Sequence, residues 1–88
     1  MYASHFETSI NRAAHALTAL ISDLRRTVHY FEIDIEIEET RAGVVDAQNP
    51  AYPTSARSLR ARRENLLVTI AMLETAKCNY EGADARYT

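Results

Sequence analysis

Eighty-eight residues bound the chain to a single domain. Apolar residues make up 47% of it and charged residues 25%, which excludes a disordered, charge-dominated chain. The net charge of −2 argues against a dedicated nucleic-acid binder, and one cysteine with three scattered histidines excludes an internal disulfide and a zinc-site spacing.

Chains this short bury a modest share of their surface and commonly draw further stability from an oligomer. Residues 1–7 lack a basic segment followed by a long apolar run, so no secretory signal is read. The longest nearly apolar run, residues 66–73, falls far short of a membrane span. A lone thiol and the absence of such a span point to a soluble protein of the cytoplasm, with no cofactor implied.

Ser4 and Glu7 form a capping box ahead of an apolar series at helical spacing: Phe6, Ile10, Ala13, Leu17, Leu20, Leu24, Val28, Phe31, Ile35, Ala42 and Val45. The spacing predicts a helix over about 5–46, roughly 60 Å long if unbroken, with a kink allowed near Gly43. Helices this long persist by packing lengthwise on others. Residues 30–37 also alternate Ile33, Ile35 and Ile37 with acids, a strand pattern. No second alternating run exists to pair with them, so helix is expected and an intermolecular strand is the alternative. As helix this stretch is apolar on two sides, because Tyr30, Ile33, Ile37 and Val44 lie nearly opposite Phe31.

Asn49-Pro50-Ala51-Tyr52-Pro53 interrupts the helical pattern, since proline lacks an amide proton and constrains the residue before it. The chain is expected to fold back over 47–53. Tyr52 then either presents its ring to a partner or folds down to cap the hairpin, and capping is the expected outcome. After Pro53, Thr54 or Ser55 can cap a second helix over about 54–80. Its stripe is Leu59, Leu66, Ile70, Leu73 and Tyr80, with Arg63 and Lys77 laying apolar stems along it. Gly82 is the expected stop, leaving 81–88 as a flexible tail. The predicted fold is therefore all-α, a long antiparallel helical hairpin.

Folding about position 50 brings residues level when their numbers add to about 100. Leu67, Val68 and Met72 then stand at the height of Tyr30, Ile33 and Ile37, so both helices carry surplus apolar surface together. Such a patch invites association, and a homodimer forming a two-fold four-helix bundle is inferred. Tyr80 comes level with Leu20, which leaves Phe6, Ile10, Ala13 and Leu17 for the dimer mate or for the amphipathic helix of a client protein.

Arg57, Arg60, Arg62 and Arg63 admit two interpretations. One is phosphate contact by a nucleic-acid-binding regulator, aided by Arg25 and Arg26. The other, expected here, is pairing with Glu32, Asp34, Glu36, Glu38 and Glu39 across the hairpin. His29, Glu32 and Glu36 share a helical face, but their order reverses the usual metal-binding Glu-x-x-His, and a solvated face is expected. Cys78 has no histidine within reach and is taken as a small packing residue. With no nucleophile constellation and no Gly-rich loop, the expected function is a non-enzymatic interaction module, adaptor or chaperone-like.

Overall fold

The computed structural model describes residues 2–86, with side chains from residue 8 to residue 82. Helices α1 (Tyr2–Ala42) and α2 (Thr54–Arg86) are the only regular elements among the described residues, and they pack on each other. Arg25 meets Glu74 and Arg60 meets Glu39, pairs whose numbers add to about 100, so the helices run antiparallel in the predicted register. The hairpin is a rod with a longest extent of 63 Å and a radius of gyration of 19.1 Å. A compact chain of this length has a radius of about 12 Å.

Residues 30–37 are helical, and the strand alternative falls. A helix satisfies its own backbone groups, whereas a strand here has no partner among the described residues. Helix α1 stops at Ala42, short of the expected 46, and Gly43 ends it instead of kinking it. Gly43 adopts φ 70°, its amide donates to the Thr40 carbonyl (3.2 Å), and the Val44 amide donates to the Glu39 carbonyl (3.2 Å). These two bonds form a Schellman cap, which needs a left-handed residue at this position.

The turn is built from side-chain mimicry of backbone. Asp46 Oδ1 accepts from the Gln48 amide and Asn49 Oδ1 from the Ala51 amide, each at 2.9 Å. The Tyr52 amide reaches back to the Asn49 carbonyl at 3.0 Å, closing a β-turn in which Pro50 presets the second residue. Thr54 is already helical, so Pro53 rather than Thr54 or Ser55 takes the cap position, and its carbonyl accepts from Arg57 at 3.1 Å. The Ser55 hydroxyl turns to Glu38 instead, at 3.1 Å.

Helix α2 passes Tyr80 and Gly82 and ends at Arg86, so residues 81–86 are helix where a tail was expected. A single glycine lowers helix propensity without stopping a helix packed along another. Near the start of α1, Ile10 is buried at 6% exposure, and Ala13 and Leu17 are half-buried, where an open groove was expected. The Phe6 side chain lies outside the described residues.

The two glycines are expected to respond with opposite sign. Nothing lies within 4 Å of a Cβ built at either one. Gly43→Ala should cost about 1 kcal/mol through the left-handed backbone alone, and Gly82→Ala should stabilise by about 0.5–1 kcal/mol. Urea unfolding of the two variants checks both signs.

Each helix carries two seven-residue series. Ile21, Val28 and Ile35 on α1 are buried, as are Ala56 and Ile70 on α2, where the half-buried Arg63 and Lys77 complete the same series. The arginine and lysine stems lie along the seam as expected, and their heads reach Glu64 (3.4 Å) and Glu81 (3.5 Å). The second series runs Leu17, Leu24, Phe31 on α1 and Leu59, Leu66, Leu73, Tyr80 on α2. Its members are half-buried, apart from Tyr80, which is exposed. Leu24, Leu66 and Leu73 lean on the core made by Ile21, Val28 and Ile70.

Candidate interaction surfaces

Three kinds of surface arise from this packing: a polar lock at the turn, a charged broad face, and apolar ground elsewhere. Tyr52 is 4% exposed and folds down to cap the turn end of the hairpin. Its hydroxyl donates to Glu39 Oε2 (2.8 Å) and accepts from Arg60 Nε (2.7 Å), while Arg60 Nη2 donates to the same Oε2 (2.9 Å). The guanidinium groups of Arg57 and Arg60 sit 5.5 and 5.4 Å from the centre of the Tyr52 ring. A cation over the ring face is attracted by its quadrupole.

The Tyr52 hydroxyl bond, followed by that of Arg60, pulls the Glu39 carboxyl below its ordinary 4.5. Burial, then the bond to Glu39, pushes the Tyr52 phenol above its ordinary 10.0. A lowered acid stabilises the fold above its unfolded pKa, and the gain fades as pH falls through the folded value. A raised phenol stabilises below its unfolded pKa, and that gain fades as pH rises through the folded value. Stability is therefore expected to fall on the acid side below 4.5 and on the alkaline side above 10.0. Glu39→Gln should flatten the first limb and Tyr52→Phe the second, as read from urea midpoints across pH.

The expected facing of arginines and acids is met at one pair only, Arg60 with Glu39. Arg57 turns to Tyr52, Arg63 stays with its own neighbour Glu64, and Arg62 has no ion pair or hydrogen bond among the described residues. Level position is not sufficient: Glu36, at the height of Arg63, stands about 80–100° round the helix axis from Val28 and Ile35 and stays exposed. Arg25 pairs with Glu74 across the helices, and Arg26 pairs with Asp23 at 3.6 Å on its own helix.

His29, Glu32 and Glu36 are exposed. No group of three His, Cys, Asp or Glu among the described residues is arranged to hold a metal ion. Cys78 is exposed, not packed, and lies in a shallow groove with Ser22, Arg25 and Glu74. At about 100° per residue it sits round the side of α2 from the seam, which the one-stripe view of that helix had not resolved. That groove and a second one bordered by His29, Glu32 and Leu67 form one broad, charged face of the rod.

Tyr30, Ile33 and Ile37 are exposed at 58%, 40% and 43%. They stand about 140–200° from Val28 around α1, so they form its outer edge. Val68 and Met72, at 61% and 68% exposure, stand about 160–200° from Ile70 and form the outer edge of α2. The two groups share a height as predicted, yet they face in opposite directions. Leu67 belongs to neither edge and borders the charged groove. No single neighbour can cover the whole predicted set.

The other broad face carries the half-buried series. Leu24 and Phe31 lie about 40–60° to one side of Val28, and Leu66 and Leu73 lie by the same angle and sense from Ile70. In antiparallel helices equal displacements of this kind fall on the same face. Leu20 and Tyr80, exposed at 45% and 42%, rim that face. Sequence reasoning had placed these residues in the intrachain stripes; separating each stripe into its two seven-residue series would have exposed the offset.

The class defined by this geometry is an antiparallel two-helix hairpin with an apolar and a charged broad face. Among the described residues, no helix is long and apolar enough to cross a membrane. Compared with known families, curated proteins and solved structures, the chain matches no family model, no curated protein and no solved structure.

Proposed function

We propose that this chain is a non-enzymatic protein-interaction module, a dimeric helical hairpin of adaptor or chaperone-like kind that works through apolar helix surfaces. The observation that carries this reading is surplus surface. The chain exposes 6491 Å², whereas a compact folded protein of 9.9 kDa exposes about 5,200 Å². A standard interface removes about 800 Å² from each partner, well within that excess. Once dimerised, the outer edge at Tyr30, Ile33 and Ile37 remains for the apolar stripe of a client helix. The exposed Cys78 thiol suits the reducing cytoplasm. Contact with nucleic acid is the weaker reading, because Arg57 and Arg60 are engaged with Tyr52 and Glu39.

Light scattering at micromolar concentration tests the proposal. The expected molar mass is twice 9.9 kDa. A monomer that keeps its helicity over that range would overturn the proposal.

A further inference from the structure

We propose that the broad face bearing Leu24, Phe31, Leu66 and Leu73 seats a second copy of this chain, layer on layer, completing a four-helix core. This rests on the dimeric reading above and names the surface that carries it. In each helix one seven-residue series is spent inside the hairpin, and the other leans to this face half-covered. A two-helix seam closes both of its seven-residue series on the one neighbour; here the second stays half-covered, as in a four-helix bundle whose wider stripe is shared between two neighbours.

The face is built in layers. Leu17, Leu24 and Phe31 fall within about 3 Å of the heights of Tyr80, Leu73 and Leu66 in turn, one layer every two turns. Two threonines lie between them without adding free polar atoms outward. The Thr27 hydroxyl donates to the Asp23 carbonyl (3.1 Å) and the Thr69 hydroxyl to the Asn65 carbonyl (3.0 Å), each within its own helix. Arg62 and Asn65 bound the stretch on the turn side. The opposite face holds Arg25, Glu32, Glu74 and Cys78, so only one of the two broad faces can be desolvated cheaply. A second copy is the fitting occupant because a two-fold axis sets identical layers against each other. A standard interface of about 800 Å² per partner also fits within the surplus surface of one chain.

Leu20→Glu with Tyr80→Glu tests the face at its rim, where both side chains are already partly in water in the single chain. The double variant is expected to weaken dimerisation by about 30-fold or more and to sediment as a monomer. Val68→Glu with Met72→Glu, on the outer edge, is the matched control and should stay dimeric. A Leu20→Glu/Tyr80→Glu dimer of unchanged affinity overturns the assignment, as does dissociation by the Val68→Glu/Met72→Glu pair. Either result leaves the dimeric reading of the parent chain standing. A monomeric parent chain instead removes the dimeric reading. If the first double variant loses its helices, Leu20→Cys decides: its alkylation should slow with rising protein concentration while Cys78, on the charged face, does not. Equal, concentration-independent rates at both thiols would overturn the proposal.

Discussion

Tyr52→Ala is expected to lower the free energy of unfolding by about 3–5 kcal/mol, the usual range for emptying an aromatic site. Tyr52 is the largest side chain among the buried residues, and it sits where the two helices are joined. Its ring supports two guanidinium groups, and its hydroxyl completes a closed triangle with Glu39 and Arg60. Removing it empties the site and strips the acid of one of its donors. Tyr52→Phe isolates the second part and should cost about 1–2 kcal/mol. A domain of this length is stabilised by about 4–13 kcal/mol in all, so the alanine variant should lose a large share of its fold. Urea titrations of both variants are the check; a loss under about 1 kcal/mol for Tyr52→Ala would mean the turn end does not hold the hairpin together.

Ile70→Ala should be the second severe variant, at about 2–5 kcal/mol. Ile70 is 5% exposed and meets Ile21 and Val28 where both helices bring their buried series together with leucines on one side. With a single helix as neighbour, the site cannot collapse from several directions to refill the void. Met72→Ala, two residues along and 68% exposed, is the fitting contrast and should stay within about 0.5 kcal/mol of the parent. Thermal melts of the pair should differ by about 8 °C or more.

The hairpin, its turn and its register were legible because their causes are local. Two prolines keep the turn out of helix, apolar spacing marks the two helices on either side, and an antiparallel return leaves the register almost no freedom. Tyr52 was legible for the same reason, being bracketed by fixed backbone. What escaped was direction around the axis. Tyr30 and Val68 share a height but look away from each other, and Glu36 shares the height of Arg63 without facing it. Height follows from counting residues, whereas facing requires the seam to be known first. The end of α2 was misjudged because glycine's local cost was set above the packing that carries the helix through Gly82.

The lock at the turn also sets the order in which the rod can assemble. Arg60 and Glu39 are 21 residues apart in the chain, while Arg25 and Glu74 are 49 apart. Closing the wider loop directly from the open chain costs about 0.75 kcal/mol more than closing the narrower one. Closure from Tyr52 outward is therefore the lower-cost order, each layer shortening the search for the next. Arg25 and Glu74 are solvated, so their ion pair adds little to that progress. The far half of the zipper depends on leucines that one chain covers only in part. On the proposed face a second chain meets those same layers, and pairing and zipping then advance together, away from the turn.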